Sequence, residues 1–336
     1  IQAKEIFVAK IEDEIAGYIT FNIKEKDNPN MRYRKQLQIE AICIDEKTRG
    51  KGIGTQLLKH VKQYGKEISE NIILNLLKPK KVTLRVNTIK SDVNEIISVF
   101  EKENIKFKNI KWYKDAFIIE NVKEERLKEL DIYKQGKIYL QSLSSMLPPL
   151  VLSPNEKENI LDMAAAPGGK TTQMATLSDN KAYITACERN KIRGEKLKYN
   201  LEKQGASMVN VMLEDAASLS DFFSFDKILL DAPCSGSGTD NVFKSNFTLE
   251  LIQKSSKTQE KLLRKALKIL KPGGEMVYST CSILKNENEK VIEKVLKDFK
   301  ANLVQVDLDD EIECLPCAIK EAKVVAPNEL FEGFFV

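Results

Sequence analysis

Two cysteines have residue types around them that suit chemistry better than packing. Cys234 lies in "DAPCSGSG" and Cys281 in "YSTCSI". Each thiol follows an apolar, strand-like run and sits among small polar residues, whereas a packing cysteine is normally ringed by aliphatics. A zinc site would need further ligands, and the one histidine, His60, is far off in the chain. Six cysteines among 336 residues do not make a disulfide framework, so a reducing cytoplasm is the simple expectation. A thiol acting as nucleophile is the remaining chemistry. Spacing does not say which of the two attacks. Cys314 and Cys317 form a lone C-x-x-C and read as structural; Cys43 and Cys187 lie in apolar runs and read as core.

A second chemistry-bearing stretch is "LDMAAAPGGKTT", with the loop Ala164, Ala165, Ala166, Pro167, Gly168, Gly169 and Lys170. Two ligands compete for it. Ala164–Thr171 fits a relaxed nucleotide phosphate loop, with "KILLD" as its acidic partner strand, but Ala164 stands where the strict motif has glycine. The alternative is S-adenosylmethionine. Glu188 ends the next strand, where a carboxylate can take both hydroxyls of a ribose. Asp215, past the strand after that, can reach an adenine amino group. Acids after consecutive strands serve a nucleoside lying across a sheet, and a phosphate loop has no need of them.

These residues need a scaffold. From residue 155 onward, strand and helix alternate. The pattern predicts strands at 159–163, 182–188, 209–213, 227–231, 275–280 and 303–306, and helices at 170–175, 191–204, 248–270 and 286–298. Such alternation implies a mostly parallel sheet with helices on both faces, and ligands then bind at the carboxyl ends of the strands. Both thiols, the loop and the acids fall at those ends.

Residues 75–145 read as a small α+β unit with 15 Lys and Arg against 10 Asp and Glu. Lys78, Lys80, Lys81, Arg85 and Lys90 come without an intervening acid, and Phe107, Trp112 and Tyr113 interleave with further lysines. That mixture suits a phosphate backbone and stacked bases, or else a solvated lysine-rich face. "GKIYLQSLSSMLPPLVLSP" reads as an apolar bridge to the next unit, ending at Pro154.

Residues 1–70 predict a hairpin, a strand and a glycine-led helix. Arg49, Gly52 and Gly54 give Arg-x-x-Gly-x-Gly at the helix start, where backbone amides can hold a pyrophosphate. This resembles the acetyl-CoA loop of GNAT acetyltransferases, without the further strand and helix that complete that family's groove. The expected division is 1–74, a partial GNAT-like segment; 75–145, a small basic α+β domain, which the family resemblance given next implies to be RNA-binding; and 146–336, the cofactor domain.

"LRVNT", "AAAPGGKT", "DAPCSGSG", "YSTCSI" and "NENE", in this order and followed by the terminal "PNELFEGFFV", resemble the RsmB/Nop/Sun group of RNA cytosine-5 methyltransferases from about Val82 to Val336. The resemblance implies a Rossmann-like class I methyltransferase fold and S-adenosylmethionine as cofactor. Its site would be Ala164–Lys170 with Glu188, Arg193, Asp215 and Asp231. The resemblance also gives two roles: Cys281 bonds carbon 6 of cytosine and Cys234 helps release the product. The chemistry of that step then expects Asp231 to hold the cytosine edge and Lys170 to help make the surroundings of Cys281 positive. No metal is implied. The substrate expected first is rRNA, with tRNA the alternative; acetyl transfer by the first segment and a P-loop NTPase are the competing activities. The chain departs from the family in having Ala164 where Cys is frequent, and "TDNVFKSNFTLE" where basic residues and a proline are usual.

At 42% hydrophobic and 30% charged residues the chain suits a soluble, monomeric cytoplasmic protein, and no apolar run approaches the roughly 20 residues of a membrane span. It begins with Ile1 rather than Met, so its start says nothing about a leader sequence.

Overall fold

A computed structural model describes residues 4–11, 14–25, 35–44, 61–239 and 247–336. Arg49, Gly52, Gly54 and His60 lie outside the described residues, as do residues 240–246 of "TDNVFKSNFTLE". The first strands, β1 (Lys4–Ile11), β2 (Glu14–Glu25) and β3 (Lys35–Ile44), form an antiparallel meander in that order.

Helix α1 (Lys66–Leu77) follows and runs through position 74, where the composition placed a boundary. Its apolar residues Ile72, Ile73 and Leu76 are buried in one core with Ile228, Leu230 and Ile283 of the final domain. Just before it, the Tyr64 hydroxyl donates to the Ile283 carbonyl at 2.6 Å. This segment is thus anchored two residues from Cys281.

The small unit holds β4 (Val82–Val86), β5 (Phe107–Asn109), β6 (Ala116–Ile119) and β7 (Ile138–Leu140) in the antiparallel order β5-β6-β4-β7. Helix α2 (Val93–Lys102) covers it, capped by Asp92, whose side chain accepts from the amides of Asn94 and Glu95. Ile96 and Phe100 of α2 pack on Leu84 and Phe117. Two short helices, α3 (Glu124–Glu129) and α4 (Asp131–Lys134), complete it.

The stretch expected as a bridge is a helix instead. α5 (Leu143–Leu152) contains Pro148 and Pro149. A proline lacks the N–H that would bond four residues back. Here the Gln141 side chain donates to the Ser145 carbonyl at 3.1 Å, filling the bond that Pro149 cannot make. A side chain just ahead of the helix thus satisfies the carbonyl that the proline leaves free.

The last domain is a five-stranded parallel sheet: β8 (Asn159–Asp162), β9 (Tyr183–Cys187), β10 (Val209–Met212), β11 (Phe225–Asp231) and β12 (Leu270–Ser279), ordered β10-β9-β8-β11-β12. Its helices are α6 (Gly169–Leu177), α7 (Lys191–Gln204), α8 (Leu249–Ile269) and α9 (Glu289–Leu296). The strand order reverses between β8 and β11, which opens a crevice at their carboxyl ends.

The strand expected at 303–306 does not form. Leu303 and Val304 are 45% and 75% exposed. A sixth strand would need the free edge of β12, but just past that strand Thr280 pairs in antiparallel fashion with Phe335. The chain end, β15 (Phe334–Phe335), bonds in turn to β14 (Val324–Val325), which pairs with β13 (Cys314–Leu315). Among the described residues, no helix is long and apolar enough to cross a membrane.

Candidate active site

The glycine loop leaves β8 at Asp162. This carboxylate is buried; it accepts from the Thr171 hydroxyl at 2.7 Å and from the Ala164 amide at 3.3 Å. Burial pushes its pKa up to about 6, and those two hydrogen bonds partly oppose the rise. Asp162 thereby fastens both ends of the loop. The Ala165 amide donates to the Cys187 carbonyl, tying the loop to β9. Gly168 sits at φ 107°, where a side chain is strained, and a Cβ there would also meet Leu197 at 3.0 Å. Lys170 then enters α6.

Glu188, just past β9, is buried, and its carboxylate accepts from the Asn190 amide at 2.8 Å. Arg193 braces both sides of this corner. One guanidinium nitrogen lies 3.4 Å from Glu188 and the other donates to the Ala166 carbonyl at 2.7 Å. Asp215 accepts from the Ala217 amide and lines a cleft of about 470 Å³ with Arg189, Lys257 and Lys261. The cleft flanks this acid side of the crevice; its walls include neither thiol. The chain's donors suit a nucleoside sulfonium: a buried carboxylate, a second acid one strand on, and a loop whose glycines permit close backbone approach.

On the other side of the switch point, β11 ends at Asp231. Lys170 pairs with it at 2.7 Å and donates to the Ser145 hydroxyl at 2.9 Å. The second Asp231 oxygen accepts from the Ser279 hydroxyl at 2.8 Å. Lys170 also lies over the Phe334 ring, 5.6 Å from its centre. Burial would lower the Lys170 pKa, but the charge and hydrogen bond of Asp231 outweigh it and the net shift is upward. The ammonium therefore persists, and it acts electrostatically on Cys281.

The two thiols meet. Cys234 and Cys281, both half-buried, have sulfurs 3.0 Å apart. The hydrogen bond with Cys281, with burial, holds the Cys234 thiol well above its ordinary pKa. The Cys281 carbonyl accepts from the Gly238 amide at 3.0 Å. Gly238 is obligatory there, because an added Cβ would lie 1.8 Å from the Gly333 carbonyl oxygen.

Four contributors were not singled out by their local sequence. Asp162 ends "NILD" as Asp231 ends "KILLD", and that repeated strand-then-acid pattern was a usable signal. Ser145 and Phe334 carried none. Arg85, counted among surface cations, is fully buried. It donates to the Gly169 carbonyl at 3.1 Å, the Thr172 hydroxyl at 2.7 Å and the Gln141 side chain at 2.9 Å. Its strand is the centre of the small sheet, so it bolts that unit to the glycine loop. The aromatics expected to stack on bases are also engaged elsewhere. Phe107 packs on Phe100 and Phe117, and Trp112 on Tyr113 and Phe331. Lys80 donates to the Asn328 and Phe331 carbonyls, Lys108 pairs with Glu120, and Lys111 with Glu311. Cys314 is exposed, and Cys317 lies beside Glu289.

A reversing parallel sheet with a glycine loop after its first strand and acids after the next two defines an S-adenosylmethionine-dependent methyltransferase fold of class I. The sequence profile described as 16S rRNA methyltransferase RsmB/F matches residues 149–336, and the ferredoxin-like domain that accompanies it matches 57–124. The chain belongs to this family of RNA methyltransferases. A GNAT acetyltransferase profile matches residues 1–79. A tRNA (cytosine(49)-C(5))-methyltransferase of Pyrococcus abyssi is 38% identical over 74% of this chain and 82% of its own length. Ribosomal RNA small subunit methyltransferase F of Shewanella oneidensis is 36% identical over 71% of the chain, which spans about half, 52%, of that relative. A methyltransferase homologue from Pyrococcus horikoshii has a solved structure with a TM-score of 0.75 and 32% identity, over 87% of this chain and 98% of that one.

Proposed function

We propose that this chain methylates carbon 5 of cytosine in RNA through a covalent bond between Cys281 and carbon 6 of the base. The observation that carries this reading is the pair of sulfurs 3.0 Å apart beside the Lys170–Asp231 ion pair. Ala164–Lys170, Glu188, Arg193, Asp215 and Asp231 would hold S-adenosylmethionine, which when bound supplies an electrophilic methyl group. Cytosine carbon 5 is a poor nucleophile. Addition of the Cys281 thiolate to carbon 6 makes the ring enamine-like and carbon 5 reactive. Lys170, kept charged by Asp231, favours that thiolate. Asp231 hydrogen-bonds the cytosine edge. After methylation a base removes the carbon-5 proton, the freed electron pair restores the carbon 5–carbon 6 double bond, and the carbon 6–sulfur pair returns to Cys281; Cys234 assists this release. The target base must be unpaired or flipped out to reach the thiol.

The working division is residues 1–74, 75–145 and 146–336, with the middle unit contributing to RNA binding. The substrate class proposed first is rRNA, with tRNA as alternative. Incubation with total RNA and labelled cofactor, followed by gel sizing and mapping of 5-methylcytosine, separates the two. Cys281→Ala should reduce transfer by roughly 10³-fold or more. Label transfer that survives this substitution overturns the covalent reading. An ATPase reading instead requires thermal stabilisation by ATP and magnesium rather than by S-adenosylmethionine.

A further inference from the structure

The "NENE" stretch, residues 286–289, has no part in the mechanism above, yet its second residue lies fully buried between the two thiol loops. One Glu287 carboxylate oxygen accepts from the Ser235 amide at 2.7 Å. The other accepts from the Ser235 hydroxyl at 2.6 Å and from the Ser282 hydroxyl at 2.6 Å. Ser235 directly follows Cys234, and Ser282 directly follows Cys281. A single carboxylate therefore grips the residue next to each thiol. Neighbouring bonds make the grip stiff. The Ser282 hydroxyl contacts that of Ser237 at 2.8 Å. Asn288 accepts from the Thr280 hydroxyl at 2.6 Å and donates to the Ser282 carbonyl at 2.9 Å, so the residues on both sides of Cys281 are fixed. Tyr278 donates to the Glu287 carbonyl at 2.7 Å. No other described side chain bridges the two loops at both positions.

We propose that Glu287 is a positioning residue for the reaction, holding Cys234 against Cys281 so that the methylated base is released. This rests on the covalent reading given above. Two thiols on separate loops approach to 3.0 Å only if the loops keep a fixed register, and this carboxylate grips the neighbour of each thiol, beside the Ser237–Ser282 contact and the Gly238–Cys281 hydrogen bond. The charge of Glu287 also works on Cys234: with the hydrogen bond to Cys281 and burial, it helps keep that thiol protonated.

The test uses the full chain carrying Glu287→Gln or Glu287→Asp, with RNA and cofactor. The expected result is a release defect: turnover falls about 10-fold or more, a denaturant-stable protein–RNA adduct accumulates with both cysteines present, and affinity for S-adenosylhomocysteine stays within about 2-fold. Glu287→Asp should recover part of the turnover. A second readout needs no RNA. Oxidised dithiothreitol takes two electrons and two protons from the thiols and closes a Cys234–Cys281 disulfide; closure should slow about 10-fold in Glu287→Gln. If that variant does not fold, Ser282→Ala removes one arm of the grip and should show a smaller shift in the same direction. Wild-type turnover and closure rates in the variants overturn the inference. So does a loss of turnover matched by an equal loss of cofactor affinity, which marks general damage. If Cys234→Ala gives an adduct while Glu287→Gln behaves as wild type, this inference alone fails; if neither gives an adduct, the release role of Cys234 fails with it, and label transfer that survives Cys281→Ala overturns the covalent reading as well.

Discussion

The Cys234 and Cys281 sulfurs lie 3.0 Å apart, within hydrogen-bonding reach, just past the ends of two neighbouring parallel strands. β11 and β12 lie side by side, so each loop leaves the sheet at the same rim. The neighbouring Cys281 sulfur and burial both raise the Cys234 pKa, so the two thiols have unlike surroundings although they share one rim.

Removing Cys234, the thiol assigned to release, should stall the reaction late. With Cys234→Ala, addition to the base proceeds and departure of Cys281 does not, so a protein–RNA adduct stable to denaturants should build up. Gel mobility of labelled RNA measures it. Absence of any adduct removes the release role from Cys234.

Asp162 makes a stability prediction with a definite sign. Its folded pKa is about 6, against 3.8 for the free side chain, so between those values the folded state holds a proton that the unfolded chain has lost. Stability contributed by this group is present at low pH and falls as pH rises from about 4 to about 6, by up to roughly 3 kcal/mol. Asp162→Asn should flatten that part of the profile, read by urea melts at pH 4, 5, 6 and 7. Parallel profiles for the two proteins would show that the carboxyl is not raised.

Arg85 ties the small domain to the glycine loop. Arg85→Met leaves the Gly169 carbonyl and the Gln141 oxygen buried without this donor, which should cost on the order of 3 kcal/mol of stability. Loosening of the loop should also raise KM for S-adenosylmethionine about 10-fold, with a smaller change in kcat. A KM equal to wild type would confine Arg85 to a purely structural role.

Much of this protein was written locally. The alternation of apolar strands and amphipathic helices predicted the parallel sheet, because period-2 and period-3.6 patterns are properties of short stretches. The strand-end acids and thiols were legible for the same reason: a parallel sheet sends every loop of one rim to one place. What tertiary structure decided was which side chains meet. Arg85 read as a surface cation, and only the packing of the small sheet on α6 buried it. Pro148 and Pro149 read as a break, and only Gln141 made a helix of them. The 303–306 run had strand composition, but the edge beyond β12 is bonded by Phe335. For Arg85 and for the 303–306 run the deciding partner is distant in sequence, so burial and edge pairing are settled by such partners rather than by the residue's own neighbours; for the prolines it is one side chain just ahead of the helix.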